Sequence, residues 1–322
     1  MKKTLLALGL SALSSSCFAI TNGTVVDWMH DFDDYVSGNC TGLIVGGDKI
    51  LTAAHCGITN NVVVIYDGSY LAVKSKVDHP NYTGFRNYDV SILDIDKQAT
   101  QNIHFFADLN QATANVGDAV HAYGFAGSLT ELKRGDFTVS NVSDPSIDHL
   151  YHKYAIGGSE TESGDSGSAW FNASNEVIGV TYGGQSIPDL FYSKDFILDT
   201  VDGWHYPTVL KGTGTQTIKV QSLHQNSVVD AAYVAGDVAI TGGTCQTLPA
   251  IDSFDTCTYE LDVSGSGQLH LTTNEVIDIN PVTPTPVPPP TTTPSSGGSG
   301  GSLGVFSLLG LAVFGRLRKR LA

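Results

Sequence analysis

"TESGDSGSAWF", residues 161–171, sets a small hydroxyl, Ser166, between an acid and a glycine and then runs into apolar residues that read as a strand. Glycine loses more backbone freedom on folding than any other residue, so Gly164 and Gly167 at the threshold of a strand call for a reason. An acyl-transfer site supplies one. Backbone N–H groups around a serine must converge on a single oxygen as it becomes negative, and flanking glycines make that turn easy to build. Gly164 and Ser166 are the candidate donors. Turns in general are rich in the same residues, so the string needs partners elsewhere in the chain.

The first partner lies upstream in "LTAAHC", residues 51–56, where His55 stands directly before a cysteine that can bridge back to Cys40. The other nine histidines lack such company. The third member should be an acid at the head of an apolar strand. "NYDVSILDID", residues 87–96, offers Asp89, followed by Val90 and Ile92, while Asp94 and Asp96 compete for the role on spacing alone.

Taken in order, "TAAHC" (Thr52 to Cys56), an acid heading a "D-x-x-x-L" strand (Asp89 to Leu93) and "GDSG" (Gly164 to Gly167) resemble the motifs of the chymotrypsin-like, or trypsin-family, serine endopeptidases. The resemblance covers residues 20 to about 210. It implies a double six-stranded β-barrel with the site in the cleft between the barrels. By that resemblance Ser166 is the nucleophile, His55 the general base and Asp89 the group that holds the imidazole in the useful tautomer. The amides of Gly164 and Ser166 form the oxyanion hole, and no metal or cofactor is required. The family also buries a free N-terminal Ile or Val against the acid before the nucleophile. Here "ITNG" starts at Ile20, directly behind the expected export signal, so signal removal itself would deliver the amine that pairs with Asp165.

The same likeness locates a substrate pocket. Glu160, six residues before Ser166, occupies the floor position, and Tyr182, Gly183 and Gly184 the wall, with Thr181 beside them near the triad. An acid on the floor would select Lys or Arg before the scissile bond; the alternative is a Glu160 that faces solvent. Glu162 stands where the family carries a pocket cysteine, so the usual pocket disulfide is missing.

Composition bounds the rest. The 322 residues are 41% hydrophobic, enough for two domains with their own cores. Lys and Arg total 17 against 32 acidic residues, and six of the basic ones lie in "MKK" and "RLRKR" at the two ends. Such a body would repel nucleic acid; protein or peptide substrates as partners are what the protease resemblance implies. Residues 1–19 carry Lys2 and Lys3, an apolar middle and small residues before Ala19, the pattern of an export signal. Lipid attachment at Cys17 is the rival reading, against which "SSS" precedes that cysteine. Without Cys17, four cysteines remain for an oxidising compartment, and their grouping favours Cys40 with Cys56 and Cys245 with Cys257 among three pairings.

The expected architecture is all-β: a chymotrypsin-like double β-barrel over 20–212 followed by a small, Ig-like β-sandwich over 213–280. "SKDFILDTVDGWH", residues 193–205, reads as a helix closing the first domain, with Ser193 as its cap. Residues 281–296 form a Pro/Thr-rich, extended linker. Residues 297–322 combine "SSGGSGG", an apolar run from Leu303 to Gly315 and a basic tail. That order resembles the Gly-Gly C-terminal sorting signal of Gram-negative bacteria, removed by a rhomboid-type protease and found on trypsin-like proteases exported by type II secretion. The resemblance implies transient membrane anchoring and dealings with secretion and sorting machinery; the alternative is a plain C-terminal anchor. It also implies a protein at the cell surface or in the medium. For the whole chain, a secreted serine endopeptidase stands against a binding or adhesion protein built on an inactive protease barrel and acting through its second domain.

Overall fold

Thr41 to Val45 are buried at every position, although a strand turns successive side chains to opposite faces. Two separate cores explain this. Ile44 joins Val36, Ile50, Val63 and Leu93 inside one curled sheet, whereas Leu43 and Val45 join Leu51, Val90 and Ile92 against the neighbouring sheet. Continuous apolar runs therefore mark strands covered on both faces.

The computed structural model describes residues 20–282 apart from 59–60, 143–149, 156–157 and 185. The expected export signal, most of the linker and the 297–322 segment lie outside the described residues. Strand β1 (Thr24–Val25) and a short helix α1 (Trp28–Asp31) lead into the first curled sheet. It contains β2 (Tyr35–Ser37), β3 (Thr41–Val45), β4 (Lys49–Thr52), β5 (Val62–Val64), β6 (Tyr70–Ala72), β7 (Ser75–Asp78) and β8 (Ser91–Asp94). Their order is β6-β5-β2-β3-β4-β8-β7. The second curled sheet holds β9 (Ala119–Gly124), β10 (Lys133–Val142), β11 (Leu150–Ala155), β12 (Ala169–Phe171), β13 (Val177–Val180) and β14 (Ser186–Pro188). They run β13-β12-β9-β10-β11-β14, with β1 added beside β10. The chain is thus mostly β, with two curled half-barrel sheets sharing one core that includes Phe106, Phe125, Phe137, Trp170 and Phe171.

The helix after the second sheet is shorter than its sequence suggests. Helix α2 covers Lys194–Val201, and Asp202 ends it in the left-handed region at φ 39°, donating its N–H to Leu198 O. Ser193 occupies the cap position but makes no side-chain capping bond, because a 3-10 turn over Leu190–Ser193 already feeds the helix. The oxygen that caps that turn is Asp189 Oδ1, which accepts from Phe191 N at 3.0 Å. Beyond the helix, Trp204–His205 is a strand, β15.

A third sheet follows, built from β15, β16 (Val209–Leu210), β17 (Gly214–Ser222), β18 (Tyr233–Gly242), β19 (Thr256–His270) and β20 (Val276–Ile279). Its path is β15-β17-β19-β20-β16, with β18 on β19. β16 lies parallel to β20, and the sheet draws in residues 204–210, ahead of position 213. Cys257, Tyr259, Leu261 and Val263 alternate inward along β19 and pack with Trp204, Ile218 and Ile277. Both disulfides, Cys40–Cys56 and Cys245–Cys257, are formed as their grouping in the sequence suggests. No helix of the described residues is long and apolar enough to cross a membrane.

This third sheet is tied to the connection between the first two. The buried Gln221 side chain accepts from Phe106 N at 2.9 Å and donates to Phe106 O at 2.8 Å and Phe254 O at 2.9 Å. Thr100 N donates to Thr208 Oγ1 at 2.8 Å. His205 accepts from Gly46 N through Nδ1 at 3.2 Å and lies 3.0 Å from His104 O through Nε2. With Nδ1 accepting, the imidazole proton sits on Nε2 and is donated to that carbonyl.

Candidate active site

Register brings the first two candidate residues together. β4 and β8 run antiparallel with Thr52 opposite Ser91, so the residues just past the end of β4 meet those just before β8. His55 and Asp89 sit in those two positions. Asp89 is fully buried; its Oδ1 accepts from His55 N at 2.7 Å and its Oδ2 lies 2.6 Å from His55 Nδ1. The carboxylate thus fixes both the backbone and the ring of the histidine, and favours the tautomer with the proton on Nδ1. The imidazole keeps 31% of its side-chain surface open. Asp94 and Asp96 stand at the far end of the strand, engaged with Lys49 at 3.3 Å and Lys74 at 2.6 Å respectively. Of the three acids only Asp89 reaches the ring.

The turn that aims Asp89 was not legible from the sequence. Tyr88 adopts φ +55°, a region most side chains avoid, and Val90 N donates back to Tyr88 O at 2.8 Å across the aspartate. A lone tyrosine before an aspartate gives no signal of this.

Gly164 and Gly167 answer to steric demand. Gly167 has φ +84°, and a Cβ there would meet Thr52 Oγ1 at 2.1 Å and Thr41 O at 2.3 Å. Gly164 has φ +103°, and its Cβ would meet Gly127 N at 2.1 Å. The 161–168 loop is thereby pressed against the first sheet and stapled to it. Thr41 N donates to Ser166 O at 2.9 Å, Thr41 Oγ1 to Gly164 O at 3.1 Å, and Thr52 Oγ1 to Thr41 O at 2.9 Å. Thr41 and Thr52 are the site residues that sequence reasoning left out, although Thr52 opens the "TAAHC" string.

Asp165 is fully buried and holds the loop from within. Its Oδ1 accepts from Ala126 N and its Oδ2 from Glu162 N, both at 2.7 Å. Gly124 must be glycine, since a Cβ there would fall 2.1 Å from Asp165 Oδ1. Ile20 is fully buried too, and Thr21 pairs with Glu160 in both directions, N to O at 2.9 and 3.1 Å. Within the loop the N–H groups of Asp165, Gly167 and Ser168 are bonded to Glu162 O, Thr181 O and Asp165 O. Those of Gly164 and Ser166 have no acceptor among the described residues.

Ser166 is half-buried and its hydroxyl donates to Tyr182 O at 3.2 Å. The Tyr182 ring meets the His55 ring edge-on at 5.3 Å, so one residue contacts both candidate catalytic side chains. Gly183 and Gly184 border open space, with nothing within 4 Å of a Cβ built on either. Thr161 Oγ1 donates to Gly184 O at 3.0 Å. The side chain of Glu160 is exposed, and that of Thr181 is buried, its Oγ1 accepting from Trp170 Nε1 at 2.6 Å. Its backbone is engaged as well, N donating to Ser168 O and O accepting from Gly167 N, so Thr181 supports the loop and does not face a substrate as expected.

Among solved structures, the chain is similar to the VesB protease of Vibrio cholerae, at 16% identity over 78% of this chain and 94% of that one, with a TM-score of 0.48. Human heparin binding protein is similar at 17% identity, over 54% and 93% of the two chains, with a TM-score of 0.47. Kallikrein-related peptidase 10 in complex with Zn2+ is similar at 18% identity, over 52% and 95%, with a TM-score of 0.44. No curated protein sequence matches. The trypsin family model matches residues 21–192, more than half of the chain, and the chain belongs to the trypsin family.

Proposed function

We propose that this chain is an exported serine endopeptidase that hydrolyses peptide bonds through Ser166, His55 and Asp89. The observation that carries the reading is the buried Asp89 carboxylate gripping His55 at both its backbone N–H and its Nδ1, with Tyr182 meeting the His55 ring and accepting from the Ser166 hydroxyl. In this mechanism Ser166 Oγ attacks the scissile carbonyl while His55 Nε2 takes its proton, and the imidazolium that forms is stabilised by Asp89. The oxyanion accepts from the free N–H groups of Gly164 and Ser166, an interaction worth about 3 kcal/mol of barrier lowering per donor. His55 then protonates the leaving amine, and water releases the acyl group by the same route.

Ile20 becomes a terminal ammonium once residues 1–19 are removed, and its pairing with Asp165 would hold the loop in working shape. The burial of both residues supports this. Adding one residue before Ile20 should abolish turnover. Glu160 is read as selecting Lys or Arg, with Tyr182 and Gly183 lining the approach. Peptides differing only at that residue test it, and equal rates for Lys, Leu and Asp would end it.

Two disulfides and the trypsin-family fold support residence outside the cytoplasm. The Ig-like character of the third sheet and the Gly-Gly sorting of residues 297–322 belong to the same proposal. The mass of the secreted chain tests the sorting step, since a retained "RLRKRLA" would mean a plain anchor.

One observation favours the inactive-barrel reading: the Ser166 hydroxyl is donated to Tyr182 O. Labelling with an organophosphonate separates the two. Stoichiometric modification of Ser166, lost in Ser166→Ala and His55→Ala, is the expected result; an unlabelled, folded wild type would leave the binding protein.

A further inference from the structure

Away from the catalytic cleft, a groove of about 860 Å³ runs between residues 77–81, Tyr88 and helix α2. Its volume is in the range of ligand sites. His79 lines it and is only 6% exposed. The ring stacks on Tyr88 at 4.5 Å and packs on Phe196 at 5.0 Å. Its Nδ1 accepts from Asn81 N at 3.1 Å, so the neutral ring carries its proton on Nε2. The bond at Nδ1 is the ring's one hydrogen bond among the described residues. Its Nε2–H is thus available to an acceptor that enters the groove.

The opposite wall has a second oddity. Asp195 and Asp199, four residues apart on α2, both line the groove and both are exposed. Like charges at that spacing destabilise a helix. Asp199 also lies in the last turn, where the helix dipole disfavours a negative charge and no basic residue compensates. Lys194 approaches Asp195 only to 3.7 Å, and Asp199 accepts from Gln225 Nε2 at 3.1 Å. Two exposed carboxylates, one of them set against the helix dipole, beside the rings of Tyr88 and Phe196, suit an incoming cation.

We propose that this groove docks a Lys- or Arg-bearing stretch of extended polypeptide. Its cationic side chains reach Asp195 and Asp199, and one of its backbone carbonyls accepts from His79 Nε2. Tyr88, which lines the groove, directly precedes Asp89, so the groove and the proposed catalytic site share one segment of chain. The site itself stands whether or not Ser166 is reactive.

The test uses the full chain carrying Ser166→Ala and an end-blocked Gly/Ser peptide with several arginines, followed by fluorescence anisotropy. Asp195→Asn with Asp199→Asn should weaken binding about tenfold or more, as should replacing each arginine by neutral citrulline. Asp237→Asn with Asp262→Asn, which removes the same charge elsewhere, should leave binding unchanged. The melting temperature of the Asp195/Asp199 variant should stay level or rise, which a merely structural role would not allow. His79→Phe, keeping the stack and deleting the donor, should weaken binding about threefold. Equal binding by the Asp195/Asp199 variant or by the citrulline peptide would overturn the proposal, as would equal losses in the two double variants. Binding sensitive only to Glu160→Gln would place the peptide in the catalytic cleft instead. A gain on deleting residues 316–322 would reassign the groove to this chain's own basic end.

Discussion

Gly167 leaves no room for substitution. Gly167→Ala would drive a methyl group into Thr41 O, which is backbone and cannot swing away, while keeping a positive φ. A loss of more than about 2 kcal/mol is expected by denaturant titration, with organophosphonate labelling of Ser166 slowed further. Asp89→Asn tests the proposed chemistry at the same scale. The amide keeps the shape but reverses one hydrogen bond, and kcat should fall by about 10⁴ with little change in KM. His205 carries the clearest pH signature. Burial holds its pKa down to about 4 from the usual 6.5, against the pull of the His104 carbonyl and the Asp34 carboxylate. The unfolded ring therefore binds its proton first as pH falls. The part of the stability linked to this ring is complete above 6.5, declines below it and is gone once pH passes the folded value of about 4. His121, also held at about 4 mainly by burial, adds a second proton of the same sign. His104 works in a different window: burial pulls its pKa down, but Asp34 more than offsets this and raises it, so its contribution fades only as pH rises above 6.5. Urea midpoints measured from pH 7 to 4 should show a slope that is shallower in His205→Gln, and an unchanged slope would refute the assignment.

Among the elements, β19 shows best where the sequence misleads. "CTYELDV" and "GQLHLTT" read as two strands because Ser264, Gly265, Ser266 and Gly267 look like a turn, yet Thr256 to His270 is one strand. The glycines serve close approach instead. A Cβ on Gly267 would meet Ala235 O at 2.4 Å, and one on Gly236 would meet Ser266 O at 2.6 Å, where the β18–β19 register shifts. Composition registers flexible residues but not whether they face solvent or a neighbouring strand. Alternation within β17 and β19, the helix at α2 and both disulfides were legible, because each rests on local spacing. His55, Asp89 and the 164–167 loop were legible as motifs. The αL turn at Tyr88, the staples from Thr41 and Thr52, and the tie at Gln221 were not, since each depends on a partner distant in sequence. Gln221→Ala would leave the Phe106 N–H and C=O buried and unpaired, and a loss of about 3 kcal/mol is expected in thermal or urea unfolding.

At the scale of the whole molecule, residues 20–282 fall in one compact unit. Ending the chain at 212 would strip β17 to β20 from the sheet, deprive Phe106 of its Gln221 contacts and expose His205, so the two curled sheets alone should not accumulate as soluble, protease-resistant protein. Limited proteolysis of that truncation against the full chain checks this, and a stable fragment with active-site labelling would show the third sheet to be dispensable. The placing of β20 has a mechanical meaning. It is zipped antiparallel to β19 on one side and parallel to β16 on the other, and the described chain leaves it at Val282. Tension applied at that exit must break both rows before β20 leaves the sheet, so rupture under an optical trap should need a higher force than removing a strand paired on one side only.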